Sequence, residues 1–179
     1  MTKKNHRIRL LGDPMLRRKA RRLAKPTAAL RETIEAMWET MYDKNGIGLA
    51  APQVGISQRV IVVDTRDPDQ KFALVNPEII WSGGNETALS EGCLSMPGVE
   101  AEVVRPSHIK IRGLSPEGKR VDIECRDLLA KVFQHEIDHL NGILFIDHLS
   151  DADFDQLLPE LLKFDPNIES EILHPAHSS

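Results

Sequence analysis

The chain has 179 residues, the length of one ordinary domain and enough to bury a core. At 41% hydrophobic and 28% charged it is not a disordered chain, and no apolar run approaches the roughly 18 residues that cross a membrane. The formal net charge of −4 gives no global reason to expect nucleic acid as a partner.

The N-terminus carries no apolar h-region, which argues against secretion. It is rich in arginine, with Asp13 the one acidic residue up to position 31, and so faintly resembles an organelle presequence. Leu30, Ile34, Met37, Trp38, Met41 and Tyr42 recur at helical spacing within 26–44, and Asn45-Gly46 stops them. GIGLAAPQVG at 46–55 reads as a Gly- and Ala-rich loop. Strand-like runs follow at RVIVVDT (59–65) and FALVNPEII (72–80). HIKIRGL and RVDIEC alternate apolar and polar residues on either side of SPEGK, which predicts a hairpin over 108–125. A second helix is predicted over about 128–141, with Gly142 as its stop. Residues 151–179 carry a short helical pattern and then a tail with Pro166 and Pro175. There are two cysteines, Cys93 and Cys125; without a secretory signal no disulfide is expected, and a reducing cytoplasm is the default. This order predicts an α+β fold, mostly antiparallel strands and hairpins packed around a central helix that carries H-E-x-x-H.

That motif is QHEIDH at 134–139. On a helix, residues four apart lie about 40° apart around the axis, so His135 and His139 can reach a common point as two metal ligands must. Glu136 sits to the side, able to take a proton from a metal-activated water without ligating the metal. Chance would place this motif in such a composition about 0.02 times.

Two histidines need a third ligand, and three places offer one. A continuation H-x-x-G-x-x-H fits at Gly142 and fails at Phe145, with His148 off the register. Glu160, behind Pro159 in LLPELL, matches the downstream glutamate of a zinc endopeptidase. Cys93 in EGCLSMPG (91–98) lies among Gly92, Pro97 and Gly98, in a segment unsuited to a regular central strand, and a thiolate suits zinc or ferrous iron. Cys125, by contrast, continues the Val121, Ile123 alternation and reads as a buried, inert thiol. A Rossmann reading of GIGLAA fails, because a helix precedes it and Pro52 follows.

GIGLAAPQ (46–53), EGCLS (91–95) and QHEIDH (134–139), in that order, closely resemble the three signature motifs of the peptide deformylases. LGDPMLR (11–17), LVNPEII (74–80), VVRP (103–106) and NGILFIDHLS (141–150) extend the likeness to about 140 residues. The resemblance implies one catalytic domain over 1–179, with 150–179 as an acidic C-terminal extension. It implies that Cys93, His135 and His139 bind one divalent metal, Fe²⁺ by family habit, with Zn²⁺, Ni²⁺ or Co²⁺ able to substitute, and that water fills the fourth position. Glu136 would be the general base, and Gln53 with the backbone N–H of Leu94 would stabilise the oxyanion. Gly48 would line the substrate channel, and Ile47, Leu128 and Val132 the methionine pocket. The implied substrate is the N-formyl-methionyl end of a nascent polypeptide, cleaved to formate and a free amine.

Asp127 stands where many relatives have glycine, Lys131 where arginine is common, and Glu100 where some carry arginine near the peptide path. Glu91 and Arg105 are expected to pair beneath the site. Residues 150–179 hold seven acidic residues and one lysine, unlike the basic terminal helix that some members use at the ribosome. LRRKARR at 16–22 could take that role through phosphate contacts, although such a run is more often a solvated face. No membrane and no specific nucleic acid is expected as a partner. A metal-stabilised module that binds RNA through 16–22 is the non-enzymatic alternative.

Overall fold

The computed structural model describes residues 6–168, so most of the terminal tail, Pro175 included, lies outside the described residues. Helix α1 spans Ala28–Asp43. The Thr27 hydroxyl accepts from Leu30 N and caps it, and Asn45 at φ 55° turns the chain out of it. The sequence 46–55, expected as a loop, forms the short strand β1 (Gly48–Ala50) and a 3₁₀ turn (Ala51–Val54). Strand β2 (Val60–Asp64) follows, then β3 (Lys71–Cys93), β4 (Met96–Leu114) and β5 (Arg120–Arg126). Each strand pairs antiparallel with the next, giving one sheet in chain order. Helix α2 spans Asp127–Leu140 and α3 Asp151–Leu161, with a 3₁₀ turn, Phe145–His148, between them.

Strand β2 explains how the layers are built. Its side chains alternate between faces: Val60 and Val62 pack with Leu30, Ile34, Met37 and Met41 of α1, whereas Ile61 and Val63 pack with Phe133, Ile137 and Leu140 of α2. At β2 the sheet is therefore covered on both faces, which is why VIVV reads as an unbroken apolar run. The expected antiparallel α+β architecture holds.

The strand expected at 72–80 runs on to Cys93 and returns as β4, through a turn at Leu94 and Ser95. Strand β2 covers only 71–75 of β3, and β5 only 108–114 of β4. From the Glu86–Pro106 pair to the Cys93–Met96 pair, the two strands run on as a ribbon. Met96, Val99 and Val103 anchor it against Leu11, Leu16, Leu144, Phe145, Ile146, Phe154 and Leu161. Residues 91–93 and 96–98 are thus strand on either side of the turn, at the ribbon end rather than in the body of the sheet, as a segment unsuited to a central strand should be.

Helix α2 starts at Asp127 with φ 49°, a left-handed backbone that explains why glycine is at home there. At its other end Arg59 Nη1 donates to the Leu140 carbonyl at 3.1 Å and to Asn141 Oδ1 at 2.9 Å, satisfying terminal acceptors. Gly142 then takes φ 75° and stops it, as expected. Among the described residues no helix is long and apolar enough to cross a membrane.

Candidate metal centre

Helix α2 brings His135 and His139 to one point, and the turn between β3 and β4 brings Cys93 to it from the other side. Their ligating atoms all lie within 4.8 Å of one another, with Cys93 Sγ 3.3 Å from His139 Nε2. His148 and Glu160 are elsewhere. His148 meets Asp138, and Glu160 is an exposed residue paired with Lys163, so neither competes with Cys93 as third ligand.

The histidines are oriented from behind. His135 Nδ1 donates to Glu91 Oε2 at 2.9 Å, which leaves Nε2 to face the cluster. Glu91 is held in turn by Arg105, whose Nε and Nη2 donate to its two oxygens at 2.6 and 3.1 Å. The expected pair beneath the site is present. Burial works against the Glu91 charge, but the bonds from His135 and Arg105 outweigh it and hold its carboxyl at about 2. On His135 burial opposes the charge, yet Cys93 and Glu91 together favour the imidazolium; a cation competes with that proton. Burial pushes His139 well down, so its ring stays neutral as a ligand must.

Glu136 is buried and its Oε2 has no partner among the described residues. Burial pushes its carboxyl up to about 7, where a group both takes and gives a proton readily. Gly48 explains how it fits: a Cβ there would collide with Glu136 Oε1, so only glycine lets β1 pass this close.

Gln53, also buried, accepts from Ala50 N at 2.8 Å through Oε1. That fixes the amide with Nε2 toward the site, 3.5 Å from Cys93 Sγ and 3.2 Å from Ser95 Oγ. A cavity of about 1070 Å³ opens here. Ile47, Gly48, Gln53, Leu94, Val132 and Glu136 line it with Cys93 and His135. Leu128 does not line it: it stands on α2 with 42% of its surface exposed, so this predicted pocket residue is not brought into the cavity. Glu100 and Lys131 do line it. Sequence reading missed Asp138, whose carboxylate accepts from Arg105 Nη1 at 2.8 Å. Its place three residues after His135 on the same helix was the available signal.

A half-buried cysteine and two buried histidines, converging beside a buried carboxyl and opening on a cavity, form a group that could hold a metal ion, the arrangement of a metal-dependent hydrolase. The family model described as polypeptide deformylase matches residues 5–155. Peptide deformylases of Halothermothrix orenii and Hydrogenovibrio crunogenus are 51% and 52% identical, over 78% and 80% of this chain and 90% and 85% of their own. A plant peptide deformylase structure superposes with a TM-score of 0.86 at 37% identity, covering 93% of this chain and 92% of its own. That from Thermotoga maritima gives 0.78 at 46% identity, covering 82% and 98%. The chain belongs to the peptide deformylase family, metal-dependent hydrolases that remove the N-formyl group from the formyl-methionine of new polypeptides and release formate.

Proposed function

We propose that Cys93, His135 and His139 hold one divalent ion and that Glu136 is the general base of the deformylation. The donor set fits: one soft thiolate and two imidazoles suit a borderline divalent ion, and His135 is already turned with Nε2 inward. Bound there, the ion supplies Lewis acidity and acidifies a water. Glu136 takes the proton of the attacking water and passes it to the nitrogen of the leaving amine. Gln53 Nε2 and the Leu94 N–H donate to the oxyanion that develops on the formyl group, a contribution of about 3–4 kcal/mol per donor in comparable sites. Ile47 and Val132 offer apolar wall to the methionine side chain; Leu128 would reach it only from the exposed end of α2.

The observation that carries this reading is the buried Glu136 carboxyl, its Oε2 without a partner among the described residues, beside the Cys93, His135, His139 cluster. Fe²⁺ is proposed as the cellular occupant, to be checked by metal analysis of protein purified without oxygen. Nascent chains as substrate favour a cytoplasmic enzyme working close to the ribosome. Exposed Arg18, Lys19, Arg21 and Arg22 are better placed for that than the acidic α3. Formate release from formyl-Met-Ala-Ser tests the mechanism. Wild type is expected to turn over rapidly, and Glu136→Gln to fall by about 10²–10⁴-fold with its metal retained. Comparable rates in the two proteins would remove Glu136 from the mechanism.

A further inference from the structure

A chain of charge-assisted hydrogen bonds continues outward from the ligands, and the deformylation chemistry does not use it. His135 Nδ1 donates to Glu91, and Arg105 donates to Glu91 with two nitrogens. Arg105 Nη1 reaches Asp138 Oδ2 at 2.8 Å, and His148 Nε2 donates to that same oxygen at 2.8 Å. Four links therefore join His148, near the surface, to a ring that faces the candidate metal site. His148 ends the 3₁₀ turn Phe145–His148, and Phe145 of that turn lies against the His135 ring, centroids 6.2 Å apart and planes 23° apart. One turn grips the same ligand twice, by its face and through the chain of charges.

We propose that His148 is a positioning residue for the metal ligand His135. Asp138 is the weak link of the chain: its side chain is 17% exposed, whereas Glu91 is 1% exposed and Arg105 7%. Water competes for the Asp138 carboxylate, and the His148 donor is what holds it inward. Released, Asp138 turns to solvent and Arg105 loses one of its two anionic partners. The buried guanidinium then leans on Glu91 alone, and Glu91 shifts under the imidazole it orients. The ring of His135 loosens in turn, and the bound ion leaves sooner. His148, off the register of a third ligand, acts instead through Asp138, Arg105 and Glu91.

This inference rests on the ligand set proposed above, and the experiment separates the two. Zinc-loaded wild type, His148→Leu and His148→Gln are mixed with a chelating dye, and the rate of zinc release is followed at fixed pH. Groups that touch a ligand typically change metal affinity about 10–100-fold, so a residue three links further out is expected to speed release about three- to tenfold in His148→Leu. His148→Gln, which keeps a donor, is expected to stay near wild type. The hydrogen-bonded His135 Nδ1 proton, read by NMR, is expected to shift in the leucine variant and not in the glutamine one. Asp138→Asn is run beside them, in case the leucine variant fails to fold. A lower melting temperature with release rate and Nδ1 resonance unchanged would make His148 a plain structural tie and overturn the proposal. Wild type that binds no zinc would overturn the ligand set itself.

Discussion

At the scale of single residues, the two cysteines show how position decides chemistry. Cys93 stands at a turn where two histidines meet it; Cys125 is sealed in the core on β5. Burial pushes the Cys125 thiol up from 9.0 to about 12. A raised thiol pKa means that the neutral form is the folded one. Its contribution is fully present below about pH 9 and is lost as pH climbs toward 12, because the unfolded chain gives up its proton first. Wild type is therefore expected to lose about 2 kcal/mol more than Cys125→Ala between pH 9 and 10.5, read from urea midpoints at each pH. Parallel curves for the two proteins would show that the thiol ionises without penalty. At this scale the sequence was informative: the alternation of Val121, Ile123 and Cys125 marked one thiol as buried, and H-E-x-x-H marked the two histidines that the structure brings together. Cys93 was not legible from spacing, because its nearest partner in the cluster is 42 positions away and only the fold closes that loop.

Among the elements, helices were easier to read than the ribbon. Helix α1 buries one stripe against the sheet, so a 3.6-residue period survives in the sequence, whereas α2, buried on most of its surface, is marked by its histidine motif and its Gly142 stop. Residues 81–90 of β3 are mostly exposed on both faces, and no two-residue alternation is left to find. Gly83, Gly84 and Asn85 within it look like a turn, yet the register merely shifts there. The end of α2 supports a sharper prediction. Gly142 combines φ 75° with a Cβ position only 2.5 Å from the Arg17 carbonyl, so alanine is strained twice. Gly142→Ala is expected to cost about 1–3 kcal/mol, lowering the melting temperature by roughly 3–10 °C in a chain of this size. An unchanged melting temperature would mean that the α2–3₁₀ connection is softer than its contacts suggest.

For the molecule as a whole, the metal would act as a cross-link. Its proposed ligands would come from two parts of the chain with different anchorage: His135 and His139 from a helix packed on the sheet, Cys93 from the end of a ribbon. Removing the ion should therefore loosen the ribbon end more than the helix. Chelation is expected to lower overall stability by about 3 kcal/mol if the metal had stood at a hundred times its dissociation constant. Amide hydrogen exchange should rise most at 90–99 and least at 60–63 in the buried strand β2. A uniform rise across the chain would mean that ribbon and sheet open as one unit.

The ribbon also works as a ruler with coarse graduations. Successive residues of a strand point to opposite faces, and each adds about 3.3 Å. Cutting one residue from each arm would turn the Cys93 thiol away from His135 and His139. Cutting two from each would restore its direction but withdraw it by about 7 Å, out of reach. Between the Glu86–Pro106 pair and the Cys93–Met96 pair, no length but the present one delivers a thiol to the histidines. Insertions that spare the enzyme must therefore fall on the sheet side of that stretch, where the shift between Gly83 and Glu86 already absorbs unpaired residues.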